Sequence, residues 1–400
     1  MMLWLFIFFA VVLVWFSFRS LHGGFAYLRF FREGLSDEPV GFSPFTTIIA
    51  PCRGIDPDMA TNLQALFDQE YPAFEIIFVV DDAADVSVAV IEELIGRNRE
   101  IPAKLVIAPK STTSSQKVEN LREAVLHADS ASEIFAFVDS DARPSQTWLR
   151  SLVAPLIDAN VGATTGYRWF ISPQPTLASE LRSVWNASVA SSLGPNTKSN
   201  FCWGGSMAMR RDVFERFAMR DKWHGTLSDD FVVTRALDDA GLPIVFVPGA
   251  MAASVENCSF RELLEFTTRQ MKITRVYQTK LWVLSFIGSG LFCVVMTTAF
   301  LIVLLSRTNG IAVWSAIATI ALVSAFSLGK AWLRLRAIRL ALPQYGPELD
   351  RQTLTQLTLW LVTPAIFLYN AVVALLSRRM TWRGIRYELK SPTETVIIAE

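Results

Sequence analysis

Apolar residues in this chain collect into runs of membrane-spanning length at its two ends, which restricts the fold to one anchored in a bilayer. Residues 1–18 (MMLWLFIFFAVVLVWFSF) carry no charge, and further apolar stretches occupy 283–305, 311–329 and 357–377. A helix needs about 20 apolar residues to cross the hydrocarbon core, and each run is near that length. Composition agrees: 52% of residues are hydrophobic and 18% charged, where soluble domains carry roughly 25%. Lys+Arg and Asp+Glu balance at 37 each, so no net field attracts nucleic acid, and none is expected as a partner.

The first run reads as an uncleaved anchor over 1–20. A cleaved signal would have a basic residue before the apolar stretch; here Arg19, Arg29 and Arg32 follow it. By the positive-inside tendency the N-terminus lies outside and the next segment in the cytosol. An integral membrane protein with a cytosolic catalytic domain is expected, in a bacterial inner membrane or its equivalent.

Four further regions follow. Residues 40–260 form a mixed, polar domain. Residues 261–282 read as an amphipathic helix at the membrane surface, with Arg269, Lys272, Arg275 and Lys280 among apolar residues. Residues 283–377 hold the C-terminal membrane segments, with a basic interfacial helix near 330–345, and 378–400 form a tail. Charge puts the 330–345 stretch in the cytosol. Counting crossings then leaves the tail outside, although it carries Arg378, Arg379, Arg383 and Arg386. Either the last segment, which contains Pro364, is re-entrant, or the tail breaks the tendency.

Within 40–260, short β-branched and aromatic runs alternate with helical patterns. Strands are expected at 46–50, 74–80, 103–108 and 134–138, and helices over 58–67, 86–95 and 117–128. Such alternation predicts an α/β domain with a mainly parallel sheet covered on both faces. Ligands of open parallel sheets bind beyond the carboxyl ends of the strands. Asp81-Asp82 follow the second of these strands and Asp139-Ser140-Asp141 the fourth, so both acidic clusters should face one crevice. Paired carboxylates at a strand end suit a divalent cation such as Mg2+ or Mn2+, completed by substrate phosphates.

Asp229 and Asp230 open a helical stretch after a Gly/aromatic loop, Cys202 to Ser206. One of them could cap that helix while the other accepts a proton from an attacking hydroxyl. Lys117 and Asn120 begin a helix beside the crevice, where a cation and an amide could meet phosphate or sugar. Four cysteines without CxxC spacing and three scattered histidines give no metal or disulfide framework.

The pieces PCRGIDPDMATNLQALFDQEYPAFEIIFVVDDAAD, QKVENL, FVDSDARP, GGSMAMRRDVF, LSDDF and TWRGIRYEL occur in that order. Together they resemble glycosyltransferase family 2 of the GT-A fold, a Rossmann-like α/β fold, and within it the ceramide glucosyltransferase-like lipid glycosyltransferases. The resemblance implies an inverting transfer of a hexose, glucose foremost, from a UDP-sugar to a lipid hydroxyl at the cytosolic membrane face. It implies that Asp81 and Asp82 contact the base and ribose, that Asp139 and Asp141 hold the metal and diphosphate, and that Asp230 is the general base. Lys117 and Asn120 fall on the K-x-x-N-L segment of lipid-acceptor relatives. The family's Q/R-x-x-R-W signature corresponds to Arg269, Gln270 and Lys272, where Lys stands for Arg and Ile273 for Trp. Lys keeps the charge but lacks the planar fork. A processive polysaccharide synthase and a catalytically silent binding protein on the same fold are the alternatives.

Overall fold

A computed structural model describes residues 2–36, 41–306 and 310–399. The expected domain start at 40, and the outermost residues of the expected anchor and tail, Met1 and Glu400, lie outside them. The chain divides into two compact units: residues 33–174, 192–257 and 378–400 in one, and 1–32, 175–191 and 258–377 in the other.

The first unit is built on a seven-stranded sheet. Strands β1 (Thr46–Pro51), β2 (Phe74–Val80), β3 (Ala103–Ile107), β4 (Ile134–Val138), β5 (Ala163–Thr165), β6 (Arg168–Ile171), β7 (Ser206–Arg210), β8 (Ile244–Phe246) and β9 (Ala252–Val255) follow in chain order. The sheet runs β3-β2-β1-β4-β7-β5-β8, with β6 and β9 paired separately. All its pairings are parallel except those of β7, which is antiparallel to β4 and β5. β1, β2 and β4 are buried at every position, as expected of strands covered on both faces. This is the expected α/β arrangement, a mainly parallel sheet. Its four N-terminal strands match expectation within a residue, whereas β5, β6, β8 and β9, of three or four residues each, are too short to show a period.

The reversed direction of β7 matters for the crevice. The carboxyl ends of β1, β2 and β4 lie at one sheet edge, and an antiparallel β7 starts at that same edge. Its lead-in, Cys202 to Gly205, therefore arrives where Asp139 leaves β4.

The tail joins this unit as a three-stranded antiparallel sheet, β10 (Arg379–Trp382), β11 (Ile385–Ser391) and β12 (Glu394–Ala399). Arg383 and Gly384 make the β10–β11 turn, with φ of 49° and 83°. Positive φ at both central residues gives the twist a two-residue hairpin requires. Tyr387, fully buried, accepts a hydrogen bond at its hydroxyl from Gln116 N–H (3.1 Å). At Gly225 (φ 78°) a Cβ would lie 2.6 Å from the Thr393 carbonyl oxygen, so only glycine fits there.

Among the described residues, three helices of the second unit are long and apolar enough to cross a membrane: Met2–Ser36, which ends in the first unit, Thr279–Leu305 and Gly310–Ala341. Phe6, Ala10 and Leu13 of the first pack with Val295, Met296 and Ala299 of the second and Ala316 and Val323 of the third. Trp4, Leu304 and Trp314 point outward, as lipid-facing residues do.

Several sequence expectations change here. No separate helix begins near 330: residues 330–341 continue the helix from Gly310, which ends at Ala341 ahead of Leu342 and Pro343, and Pro343–Tyr345 form a short 3-10 turn. The surface helix runs Phe260–Tyr277, opened by a Ser259/Glu262 capping box, and Trp282 belongs to the spanning helix that follows. The last apolar segment is a bent pair, Thr353–Leu361 and Thr363–Leu376, at 57°. Pro364 sits in the first turn of the second piece, where a missing N–H costs nothing, so the helix restarts just before it. Helix Leu177–Ala190 belongs to this unit, tied by Glu180, which accepts from Gln352 (3.3 Å) and Thr355 (2.5 Å).

Candidate active site

The strand ends set out the acidic groups in a row. In the order β2-β1-β4, strands about 4.8 Å apart put the Asp81 and Asp139 ends about 10 Å from each other. Asp81, buried, is ion-paired with Arg53 from the loop after β1. Asp82 is exposed; its carboxyl is held down by the Ala84 N–H it accepts from, and Lys110 stands 3.5 Å away.

Asp139 and Asp141 share a guanidinium. Arg168, at the start of β6, reaches Asp139 Oδ2 with Nη2 and Asp141 Oδ2 with Nη1, both at 2.9 Å. Trp203 and Phe170 flank it, with ring centres 4.6 and 5.6 Å from its guanidinium carbon. The other oxygen of Asp139 meets Lys117 Nζ at 2.7 Å, and the same ammonium is 3.2 Å from Asp229. Two cations thus hold three carboxylates together, against their mutual repulsion. Burial works against the Asp141 carboxylate, but Arg168, Arg383 and Lys117 outweigh it and hold its carboxyl below the usual range.

Asp229 and Asp230 take different places. Ser228 caps the helix Asp229–Asp239. Asp230, half-buried, accepts at Oδ1 from the Ser228 hydroxyl and from Phe231 N–H (2.8 Å), and at Oδ2 from Gly204 N–H (3.1 Å). Asp229 is buried, and its Oδ2 has no hydrogen-bond partner. Burial, reinforced by Asp230 and Asp139 and opposed by Lys117, pushes its carboxyl up to about 6. A Cβ at Gly204 would lie 2.2 Å from that oxygen and 2.9 Å from Lys117 Nζ, so glycine is what lets the loop pass.

The segment leading into Asp229 is held by three hydrogen bonds. Ser115 N–H donates to the Thr226 carbonyl (2.9 Å) and its hydroxyl to that of Leu227 (2.7 Å). Trp223, wholly buried, donates from Nε1 to the Asp229 carbonyl (3.0 Å). Helix Gln116–Ala124, which carries Lys117, is thereby locked to the segment carrying both acids.

Asn120 serves that helix rather than the crevice. It is 1% exposed, accepts from Gln116 Nε2 (2.8 Å) and donates to the Val79 carbonyl (3.5 Å). Arg269, Gln270 and Lys272 lie on helix Phe260–Tyr277 of the membrane unit. That helix packs there through Met271 against Ala371 and Ala374.

Sequence reading gave no role to Arg168, Asp56 or Arg383. Asp56 accepts at Oδ2 from Ser140 Oγ, the middle residue of the Asp-Ser-Asp run, at 2.6 Å, and at Oδ1 from Arg383 at 2.5 Å. Asp56 and Arg383 lie in PCRGIDPD and TWRGIRYEL, two of the segments that carry the family resemblance, and that is the sequence signal for them. Arg168 had none, since its strand is four residues long.

The sequence profile of Glycosyl transferase family 21 matches residues 3–395. The chain belongs to glycosyl transferase family 21. Family 2, the expectation from sequence, is thereby replaced by a distinct family, while the likeness to ceramide glucosyltransferases holds. This family 21 chain is 29% identical over 159 residues to the ceramide glucosyltransferase of Komagataella phaffii, covering 38% of this chain and 30% of that protein. Against the Candida albicans enzyme of the same name it is 30% identical over 122 residues, 28% of this chain and 22% of the other. The chain thus spans less than a third of the length of these curated relatives. A mannosyltransferase from Pyrobaculum calidifontis, solved with GDP-Man and Mn2+, superimposes with a TM-score of 0.49 at 17% identity, over 93% of this chain and 99% of that one.

The residues at the end of β4 fit a divalent cation by their chemistry. Asp139 and Asp141 offer hard carboxylate oxygens, and Asp141 Oδ1 is buried with no hydrogen-bond partner. Among the described residues no group of three or more His, Cys, Asp and Glu side chains is placed to hold a metal. Substrate phosphates would have to complete any such site.

Proposed function

We propose that this glycosyltransferase moves a hexose, glucose foremost, from a UDP-sugar to the hydroxyl of a membrane lipid, with inversion at the anomeric carbon. The observation that carries the reading is the cluster of Asp139, Asp141 and Asp229 around Lys117 and Arg168 at the sheet edge, in a family 21 chain with membrane-length helices. The ceramide glucosyltransferase name of its relatives supports glucose and a ceramide-like acceptor.

Asp81 and Asp82 would take the base and ribose, about 10 Å along the edge from Asp139. Asp139 and Asp141 would hold Mg2+ or Mn2+, which when bound supplies charge stabilisation to the departing diphosphate. Lys117 and Arg168 add fixed positive charge at the same place, preorganised by their carboxylate partners. Asp230 is the base: it is the more exposed of the two acids, and among the described residues Gly204 N–H is the single donor to its Oδ2. The acceptor oxygen forms its bond to the anomeric carbon as the bond to the diphosphate breaks; the hydroxyl proton goes to Asp230, and UDP leaves with the electron pair. No covalent sugar–enzyme intermediate is needed.

The tail supports one membrane topology. It belongs to the same compact unit as residues 33–174 and 192–257, so chain leaving that unit at Asn257 returns to it at Arg378. Two spanning helices between them make an even number of crossings. The bent pair 353–376 is then re-entrant, and domain and tail share the cytosolic side.

Asp230→Asn tests the mechanism. UDP binding should be kept within a few-fold while transfer to extracted lipid falls by at least about 10³-fold. Near-normal turnover would remove Asp230 from the role of base.

A further inference from the structure

Two adjoining cavities in the membrane unit, of about 200 and 280 Å3, share Ser20, Lys330 and Arg334 in their walls. The smaller is polar: Tyr27 and Ser191 complete it, and Gly23 and Gly24 leave it room. The larger has aromatic rings, among them Phe16, Phe292, Phe326 and Trp360, along with the hydroxyls of Ser17 and Ser188 in its walls.

The polar cavity has donors without acceptors. Arg334 is 5% exposed; its Nη2 donates to Gln356 Oε1 (3.2 Å), but its Nε has no partner. The Tyr27 hydroxyl, also 5% exposed, has none either. Lys330 stands one helical turn from Arg334, and no carboxylate lines either cavity among the described residues. Two like charges one turn apart in an apolar setting repel, and a neutral amide does not offset them. A bound anion would.

Depth indicates which anion. Lys330 lies about 30 Å along the helix from Gly310 at 1.5 Å per residue, one hydrocarbon thickness away. That is the level of lipid headgroups. An aromatic-walled cavity opening from the cationic one is suited to an acyl chain continuing from such a headgroup.

We propose that the two cavities form a binding site for a phosphate-bearing membrane lipid, its phosphate held by Lys330, Arg334, Tyr27 and Ser20 and the start of its chain by the aromatic wall. The site stands apart from the transfer reading, since none of its residues belongs to the aspartate cluster.

The test uses the full-length protein in phosphatidylcholine nanodiscs. Phosphatidic acid and diacylglycerol with identical chains are offered as probes, and retained lipid is read by native mass spectrometry. Phosphatidic acid should be retained about tenfold over diacylglycerol, the gain expected from one charge-assisted contact set. Millimolar inorganic phosphate should not displace it. Lys330→Gln with Arg334→Gln should reduce retention to the diacylglycerol level, and Tyr27→Phe should lower it several-fold with the thermal midpoint unchanged. If the double variant does not fold, Tyr27→Phe and Lys330→Gln alone decide. Equal retention of the two lipids, or unaltered retention in the variants, overturns the proposal. Displacement by inorganic phosphate overturns the lipid assignment in favour of a free anion.

Discussion

Arg383, in the turn of the C-terminal hairpin, donates to Asp56 across 327 positions of sequence, and the other oxygen of Asp56 holds Ser140 between the two site aspartates. The tail is thereby part of the wall behind the Asp-Ser-Asp run. Burial raises the Asp56 carboxyl and Arg383 opposes that, so removing the guanidinium leaves a buried acid without its counter-charge. Arg383→Ala should destabilise the catalytic unit by about 1–3 kcal/mol and weaken UDP binding. In a thermal-unfolding cycle with Asp56→Asn, the double variant should lose less than the two single losses added. Strict additivity would mean that the pair is not coupled.

The proposed metal site at Asp139 and Asp141 has a direct test. Chelation should abolish lipid glycosylation, and Mn2+ or Mg2+ should restore it. Asp141→Asn removes a charged ligand and should raise the metal concentration for half-activity, with kcat lowered on the order of 10²-fold. Full activity in chelator would exclude the metal-assisted reading.

Asp229 imposes a pH signature on stability. Its folded carboxyl sits near 6, above the ordinary 3.8, because burial outweighs Lys117. A raised folded value means that its contribution is fully present below about pH 4 and is lost as pH rises to about 6. The difference in thermal midpoint between wild type and Asp229→Asn should therefore shift against wild type across pH 4–6 and stay level above that window. A constant difference throughout would show that Asp229 titrates normally.

Gly204 carries a steric requirement. A methyl group there would meet Asp229 Oδ2 at 2.2 Å, and the neighbouring acid and lysine are both held by partners. Gly204→Ala should cost roughly 1–3 kcal/mol of stability and most of the transfer activity, measured on membranes at matched expression. Wild-type turnover in that variant would show that the loop moves freely.

The shared side of domain and tail can be read by labelling. Single cysteines at the exposed positions Asp158 and Thr381 should react with an impermeant maleimide in the same vesicle orientation. Labelling from opposite sides would make the bent pair a third crossing.

Much was legible in one dimension because it rests on local periodicity. Long apolar runs declared the membrane-length helices, and full burial on both faces wrote β2 and β4 as largely hydrophobic segments ending in acids. Those acids needed no distance information to be found, since parallel strands place their carboxyl ends together. The three- and four-residue strands β5, β6, β8 and β9 left no period to detect. Arg168 therefore appeared as one arginine among aromatic residues, although it bridges both site carboxylates.

By itself the sequence determined the class of fold, the membrane segments and the identity of the acids at the strand ends, all properties of contiguous residues. Tertiary structure alone decided that Lys117 joins Asp139 to Asp229. It also decided that Asn120 is spent inside the fold, and that the tail returns to seat Arg383 on Asp56. Such pairings depend on which distant segments meet, and charge compensation in a buried place is a property of the assembled neighbourhood, not of any stretch of chain.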